Sequence, residues 1–283
     1  MAQNPQEIKD RLKNIHAIKP LLTALRTISL ANWKQAINKQ TLLKEYLRDL
    51  NEIYFFLSPQ YPRKQIAGIT PIEIIIAIGS NRGLCGNFNR NIVDELTKSV
   101  NNEGPDKKKV IIYGERLKKY LVRRNIIFDK FYNFQNPGSN MLNHITNLAS
   151  HFLSTDIPYK ISAIYNEYSG AAKHHTISKI IFPFSVDHNI RNNVEFSDFI
   201  FDTDQYAILE HLEKHLGFLS LYSSFLSSAA SEHSTRFQIM ESSSKNAERL
   251  SEELEIDVQF HRRQKITSEM QELAVSAGLL EKK

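Results

Sequence analysis

A small α/β domain set between two very long helices is the fold class that these 283 residues require. Helix breakers are segregated along the chain. Eight of the ten glycines fall between Gly68 and Gly170, residues 6–58 hold no glycine and a single proline, Pro20, and no proline follows Pro183. Glycine and proline are the residues that penalise helix interiors, so both ends read as helix and the middle does not. The apolar spacing agrees with that division. Steps of three and four dominate the two ends, whereas short β-branched runs alternate with helical stretches in the middle.

The first helix carries Ile8, Leu12, Ile15, Ile18, Leu22, Leu25, Ile28, Trp33 and Ile37 on one stripe. Pro20 lies inside it and is expected to kink or interrupt it. In the centre, Ile72–Ile78 reads as a buried parallel strand closed by Gly79, followed by a helix over Asn89–Val100. Lys109–Tyr113 reads as a second strand closed by Gly114, with a helix over Glu115–Arg123 and another over Ser139–Ser154. Ile161–Tyr168 and Thr176–Phe184 read as a strand pair around Gly170. The last helix carries Leu209, Leu212, Leu216, Leu219, Leu226, Ala230, Phe237, Met240, Ala247, Leu250, Leu254 and Val258, with a weaker stripe through Ile266, Met270, Leu273, Ala277 and Leu280. Its segment Ser223–Ser234 is small and polar, which fits either a close helix contact or a partly solvated stretch. The expected segments are 1–58, 68–186 and 205–283. As single helices the two ends would each run roughly 75–110 Å, a length that suits a coiled coil rather than a compact domain.

Composition narrows the function. Hydrophobic residues make up 41% and charged residues 24%, enough for a packed core. No run approaches the length of a membrane-spanning helix, and the N-terminal residues lack the apolar centre of a signal peptide. The one cysteine, Cys85, excludes an internal disulfide and a zinc site built on several thiolates. Residues 1–50 hold nine Lys/Arg against four Asp/Glu, and residues 205–283 hold nine against twelve. Opposite signs favour the two ends lying side by side.

The chemical candidates are few. Gly79–Asn89 places three glycines between a strand and a helix, where a phosphate cradle could form. The spacing matches neither GxGxxG nor a GK[ST] motif, so a tight structural turn is the reading adopted. Cys85 lies in that loop without an identifiable base, which favours a structural thiol. His174 with His175, and His211 with His215, lack a third ligand at metal spacing. The Lys107–Lys109 run is a weak signal for nucleic acid. No catalytic residue, cofactor or metal is expected.

Several segments resemble a known family. SNRGLCGNFNRNI (80–92) resembles the signature loop of the γ subunits of F-type ATP synthases. ASEHSTRFQIMESSSKNAERL (230–250) resembles that family's C-terminal signature. RLKNIHAIKPLLTALRTIS (11–29), IYNEYSG (164–170) and IIFPF (180–184) follow its N-terminal helix and two of its strands in the same order. The resemblance implies an antiparallel coiled coil of the terminal helices, beside a central Rossmann-like α/β domain. It implies a non-catalytic rotor shaft whose partners are the α and β subunits of the catalytic head, the ε subunit and the membrane c-ring, on the cytoplasmic face of a bacterial inner membrane.

It further implies a structural role for Gly83, Leu84, Cys85, Gly86 and Asn89, and subunit contacts for Arg236, Arg262, Arg263, Gln264, Thr267, Leu279 and Leu280. The family's Asp before RGLCG is Asn81 here, and its Lys-Ile-Thr is Pro20-Leu21-Leu22. A soluble nucleotide-binding enzyme that oligomerises through its helices, or a non-rotary coiled-coil adaptor, are the alternatives to a rotor.

Overall fold

The computed structural model describes residues 5–58, 72–101, 108–133, 145–146, 159–171, 173–183 and 204–277. The elements in chain order are α1 (Pro5–Leu57), β1 (Ile72–Ile78), α2 (Phe88–Asn101), β2 (Lys108–Tyr113), α3 (Glu115–Arg123), β3 (Lys130–Tyr132), β4 (Tyr159–Gly170), β5 (Lys173–Phe182) and α4 (Gln205–Ser276). Two compact units are formed, one by Met1–Ile28 with Phe237–Lys283 and one by Ser29–Arg236.

The first unit is an antiparallel helix pair. On α1 the side chains turned from water are Ile8, Leu12, Ile15, Lys19, Leu22 and Arg26, with Leu25 beside Arg26. On α4 they include Met240, Ser244, Ala247, Ser251, Leu254, Val258 and His261. Both sets step by alternate fours and threes, the 3.5-residue period of a coiled coil. Cross-helix pairs fix the direction: Arg26 Nη1 meets Glu241 at 2.7 Å, Lys19 meets Glu248 at 3.9 Å, and His16 faces Ser251 at 3.2 Å. The opposite charges counted on the two ends thus do meet. Ile18, Ile28 and Leu250 leave the expected stripe and face water, because a seam of period 3.5 drifts away from a stripe drawn by hydrophobicity alone. Helix α1 passes Pro20 without interruption. From Arg262 to Ser276 α4 exposes nearly every side chain.

The second unit is a three-layer α/β arrangement. Its sheet has the order β3-β2-β1-β4-β5. The pairs β1–β2, β1–β4 and β2–β3 are parallel, and β4–β5 is antiparallel. Register is fixed by alternation along β1. Ile74, Ile76 and Ile78 enter one core with Tyr113, Tyr165, Leu219, Phe225 and Leu43, so α4 and α1 cover that face. Ile75 and Ala77 enter the other core with Phe88, Ile92, Leu96, Leu117 and Leu121 from α2 and α3. Being buried on both faces is why β1 reads as a continuous apolar run. Truncating a fully buried isoleucine here costs about 2–5 kcal/mol.

Within this unit α1 continues its seam through Ser29, Trp33, Ala36, Gln40, Leu43, Leu47, Leu50, Tyr54 and Leu57. Tyr54 and Leu57 pack with Leu209 and Leu216 of α4. The small polar segment of α4 is a close contact: Ser224, Ser227, Ser228, Ala230, Ser231 and Ser234 are all buried. Ser227 Oγ accepts from Tyr168 N at 3.0 Å, and Ser228 Oγ donates to the Ile78 carbonyl at 3.3 Å. These serines fasten α4 to the ends of β4 and β1, and their size lets the helix approach the sheet.

The short strand β3 was not expected. Of the helix expected over Ser139–Ser154, only Ile145 and Thr146 are among the described residues. Lys108 is not an open basic group, since its side chain is buried, lies 3.7 Å from Glu73 and donates to the Ser99 carbonyl.

Candidate functional site: a loop clamped to the C-terminal helix

The loop that joins β1 to α2 is held by hydrogen bonds within it and by bonds to β2 and β4. Gly79 N donates to the Tyr113 carbonyl at 2.8 Å, and Phe88 N donates to the Cys85 carbonyl at 3.3 Å. Ser80 N donates to Asn89 Oδ1 at 2.9 Å, while Asn89 Nδ2 donates to Ser80 Oγ at 2.8 Å. Asn166 of β4 donates through Nδ2 to the Phe88 carbonyl at 2.9 Å. A phosphate at this helix N-terminus would need free backbone donors. Gly79, Ser80 and Phe88 have already committed theirs within the protein, which favours a structural turn.

Two residues in the loop adopt left-handed backbone, Leu84 at φ 63° and Gly86 at φ 59°. Glycine adopts this freely at position 86, whereas leucine is strained at position 84. The turn sends Leu84 out to solvent and Cys85 inward. Cys85 Sγ lies 3.6 Å from Ser80 Oγ and 3.8 Å from the Arg82 carbonyl. Burial and then the nearby Glu232 carboxylate push its thiol up. It is therefore protonated at neutral pH and a poor nucleophile.

Asn81 accepts from Glu115 N at 3.1 Å and so caps α3 from a distance. The cap is needed because Gly114, the residue before α3, has no side chain and sits at φ 108°. Replacement of the family's Asp by Asn leaves this acceptor in place.

The loop is held from α4 by Arg236. Its side chain is only 7% exposed. Nε donates to the Gly83 carbonyl at 3.2 Å and Nη2 to the Arg82 carbonyl at 3.3 Å. Nη2 also meets Glu232, and Nη1 donates to His233 Nδ1 at 3.2 Å. Next to it, Thr235 lies 3.4 Å from His174 Nδ1, and His174 packs on Phe88. The two motifs singled out in the sequence, GLCG and ASEH, thus meet at one place.

A sequence profile for a family described as ATP synthase matches residues 4–279. The chain belongs to the ATP synthase family. Among curated relatives, the ATP synthase gamma chain of Fusobacterium nucleatum is 26% identical, over 97% of this chain and 99% of that one. The gamma chain of Amoebophilus asiaticus is also 26% identical, over 98% and 99%. Two solved ATP synthase chains share the fold. One, from the rotor of the Euglena gracilis mitochondrial enzyme, has a TM-score of 0.64 at 15% identity, covering 93% of this chain and 98% of that one. The other, from an OSCP/F1/c-ring assembly of the same organism, has a TM-score of 0.67 at 14% identity, covering 97% and 94%. Gamma chains thus match this one from end to end in sequence, and its coil with a Rossmann-like domain is the ATP synthase central-stalk fold.

Of the other residues singled out for this family, Arg262, Arg263, Gln264 and Thr267 are exposed on the distal part of α4. Leu279 and Leu280 lie outside the described residues. Among the described residues no three metal-ligating side chains cluster. His215 of the His211/His215 pair lies 3.3 Å from Tyr46 Oη. Among the described helices none is long and apolar enough to cross a membrane. Sequence reasoning missed the Arg236–loop contact, since nothing in the spacing links residues 82 and 236.

Proposed function

We propose that this chain is the central-stalk rotor subunit of an F-type ATP synthase, coupling transmembrane ion flow to ATP synthesis or hydrolysis on an α/β head. The end-to-end match to gamma chains carries this reading. In it the chain is non-catalytic, and the nucleotide sites belong to α and β. The ε subunit and the c-ring bind its membrane end, at the cytoplasmic face of a bacterial inner membrane. The three-segment organisation of 1–58, 68–186 and 205–283 is its working division into shaft, domain and shaft.

The physical features suit a shaft. Two helices zipped on a 3.5-residue seam resist bending better than one. Exposed coil charges form pairs of about 0–1 kcal/mol with partners, which a turning contact can break and remake. Arg262, Arg263, Gln264 and Thr267 would make such contacts directly, and Leu279 and Leu280 are proposed as further subunit contacts. Arg236 would contribute through the loop that it holds, because its guanidinium is already bonded within the chain.

The test is affinity purification of the tagged chain from solubilised native membranes. One copy with three α and three β subunits and membrane partners is expected, with ATPase activity that the chain alone lacks. Recovery of the chain without ATPase subunits, or ATP turnover by the pure chain, would refute the reading.

A further inference from the structure

The clamp has a chemical asymmetry. A guanidinium carries only donors. Arg236 Nη1 lies 3.2 Å from His233 Nδ1, so Nδ1 must present a lone pair and the ring proton must sit on Nε2. That contact exists only while the imidazole is neutral. We propose that His233 is a positioning residue for the signature loop: as a neutral acceptor it fixes the Arg236 guanidinium on the Arg82 and Gly83 carbonyls, and on taking up a proton it releases them.

Protonation at Nδ1 would turn an N–H against an N–H and place a second cation beside Arg236. The charged groups facing His233 are Glu232 and Arg236 on α4 and Arg82 from the loop. Cys85, beneath the loop, is protonated and adds no charge at neutral pH. His174 on β5 contacts Thr235 instead. Burial holds the imidazole below its ordinary value; Glu232 opposes this, and Arg236 and Arg82 add to it. The sign follows. The folded state prefers neutral His233, so the clamp is complete above the ordinary imidazole value of 6.5 and weakens as pH falls from there through the lowered folded value. The serine contacts of α4 to β1 and β4 contain no titrating group and persist. Acid therefore loosens the loop without detaching the helix. For a rotor, and on that reading, the loop would transmit less torque under acid load.

Cys85, the one thiol, is buried under the clamped loop and reports its release. The experiment measures the rate at which 4,4′-dithiodipyridine modifies Cys85 in the full-length chain, divided into the rate for the same chain unfolded in urea at each pH. That ratio cancels intrinsic thiolate chemistry. Protection should fall roughly three- to tenfold between about pH 7.5 and about pH 5.5. His233→Asn offers Oδ1 as an acceptor that does not titrate, so its protection should stay flat. His174→Asn should keep the fall, and Arg236→Gln should be poorly protected at both pH values. Flat protection in the unsubstituted chain, the same fall in His233→Asn, or a fall abolished by His174→Asn would each overturn the proposal. Should His233→Asn not fold, nitrogen-detected NMR of the unsubstituted chain decides: a proton on Nδ1 of His233 at neutral pH refutes the clamp. These readouts need no partner subunit, so they stand or fall separately from the rotor reading.

Discussion

Gly79, Gly83 and Gly114 flank the same loop and stand in different physical situations. A Cβ on Gly79 would lie 2.4 Å from the Leu117 Cβ, and one on Gly114 would lie 2.7 Å from the Gly79 carbonyl carbon. Gly114 also sits at φ +108°, where an L side chain is strained. At Gly83 an added Cβ would meet only the Arg116 guanidinium, at 3.7 Å. Gly79→Ala and Gly114→Ala should therefore each cost about 3 kcal/mol or more, while Gly83→Ala should stay within about 0.5 kcal/mol. Urea titration of the three variants checks this ordering, and a Gly83 variant as damaged as the other two would break it. Removing Arg236 is a different loss. Arg236→Ala leaves Glu232 and two loop carbonyls without their cation and should cost about 3 kcal/mol. Stability within about 0.5 kcal/mol of the unsubstituted chain would mean that the clamp carries no strength.

At the scale of elements, α4 is fastened by small residues rather than by large apolar ones. Ser227 and Ser228 have partners on β4 and β1, but the buried Ser231 hydroxyl has none. An unsatisfied buried hydroxyl is destabilising, so Ser231→Ala should raise stability by about 1 kcal/mol. A fall in the denaturation midpoint would show that the hydroxyl does hold something. The helices and parallel strands were legible because their signals are local. Breaker-free ends, the run Ile72–Ile78 and the closing glycines each lie in one stretch of chain. What could not be read depends on partners far away in sequence. Ile18 and Ile28 look like seam residues by hydrophobicity, yet the seam runs through Lys19 and Arg26 because Glu248 and Glu241 stand opposite. The three residues of β3 are too few to show a period. The choice between close contact and solvated stretch for Ser223–Ser234 was decided by the ends of β4 and β1 that meet it. Arg236 drew notice through the family resemblance, whereas its loop partners follow only from the fold.

For the whole molecule, the proposed function is that of a moving part of an ATP synthase. Its coil seam and its exposed distal α4 agree on that reading, and the gamma-chain relatives supply its context. The most direct test fixes the α/β head of the purified complex to a surface and attaches a bead through a biotin at the exposed Lys173. With ATP supplied, the bead should rotate continuously in one direction and stop when ATP is withdrawn. A bead that stays still while the same complexes hydrolyse ATP at full rate would contradict the proposed function.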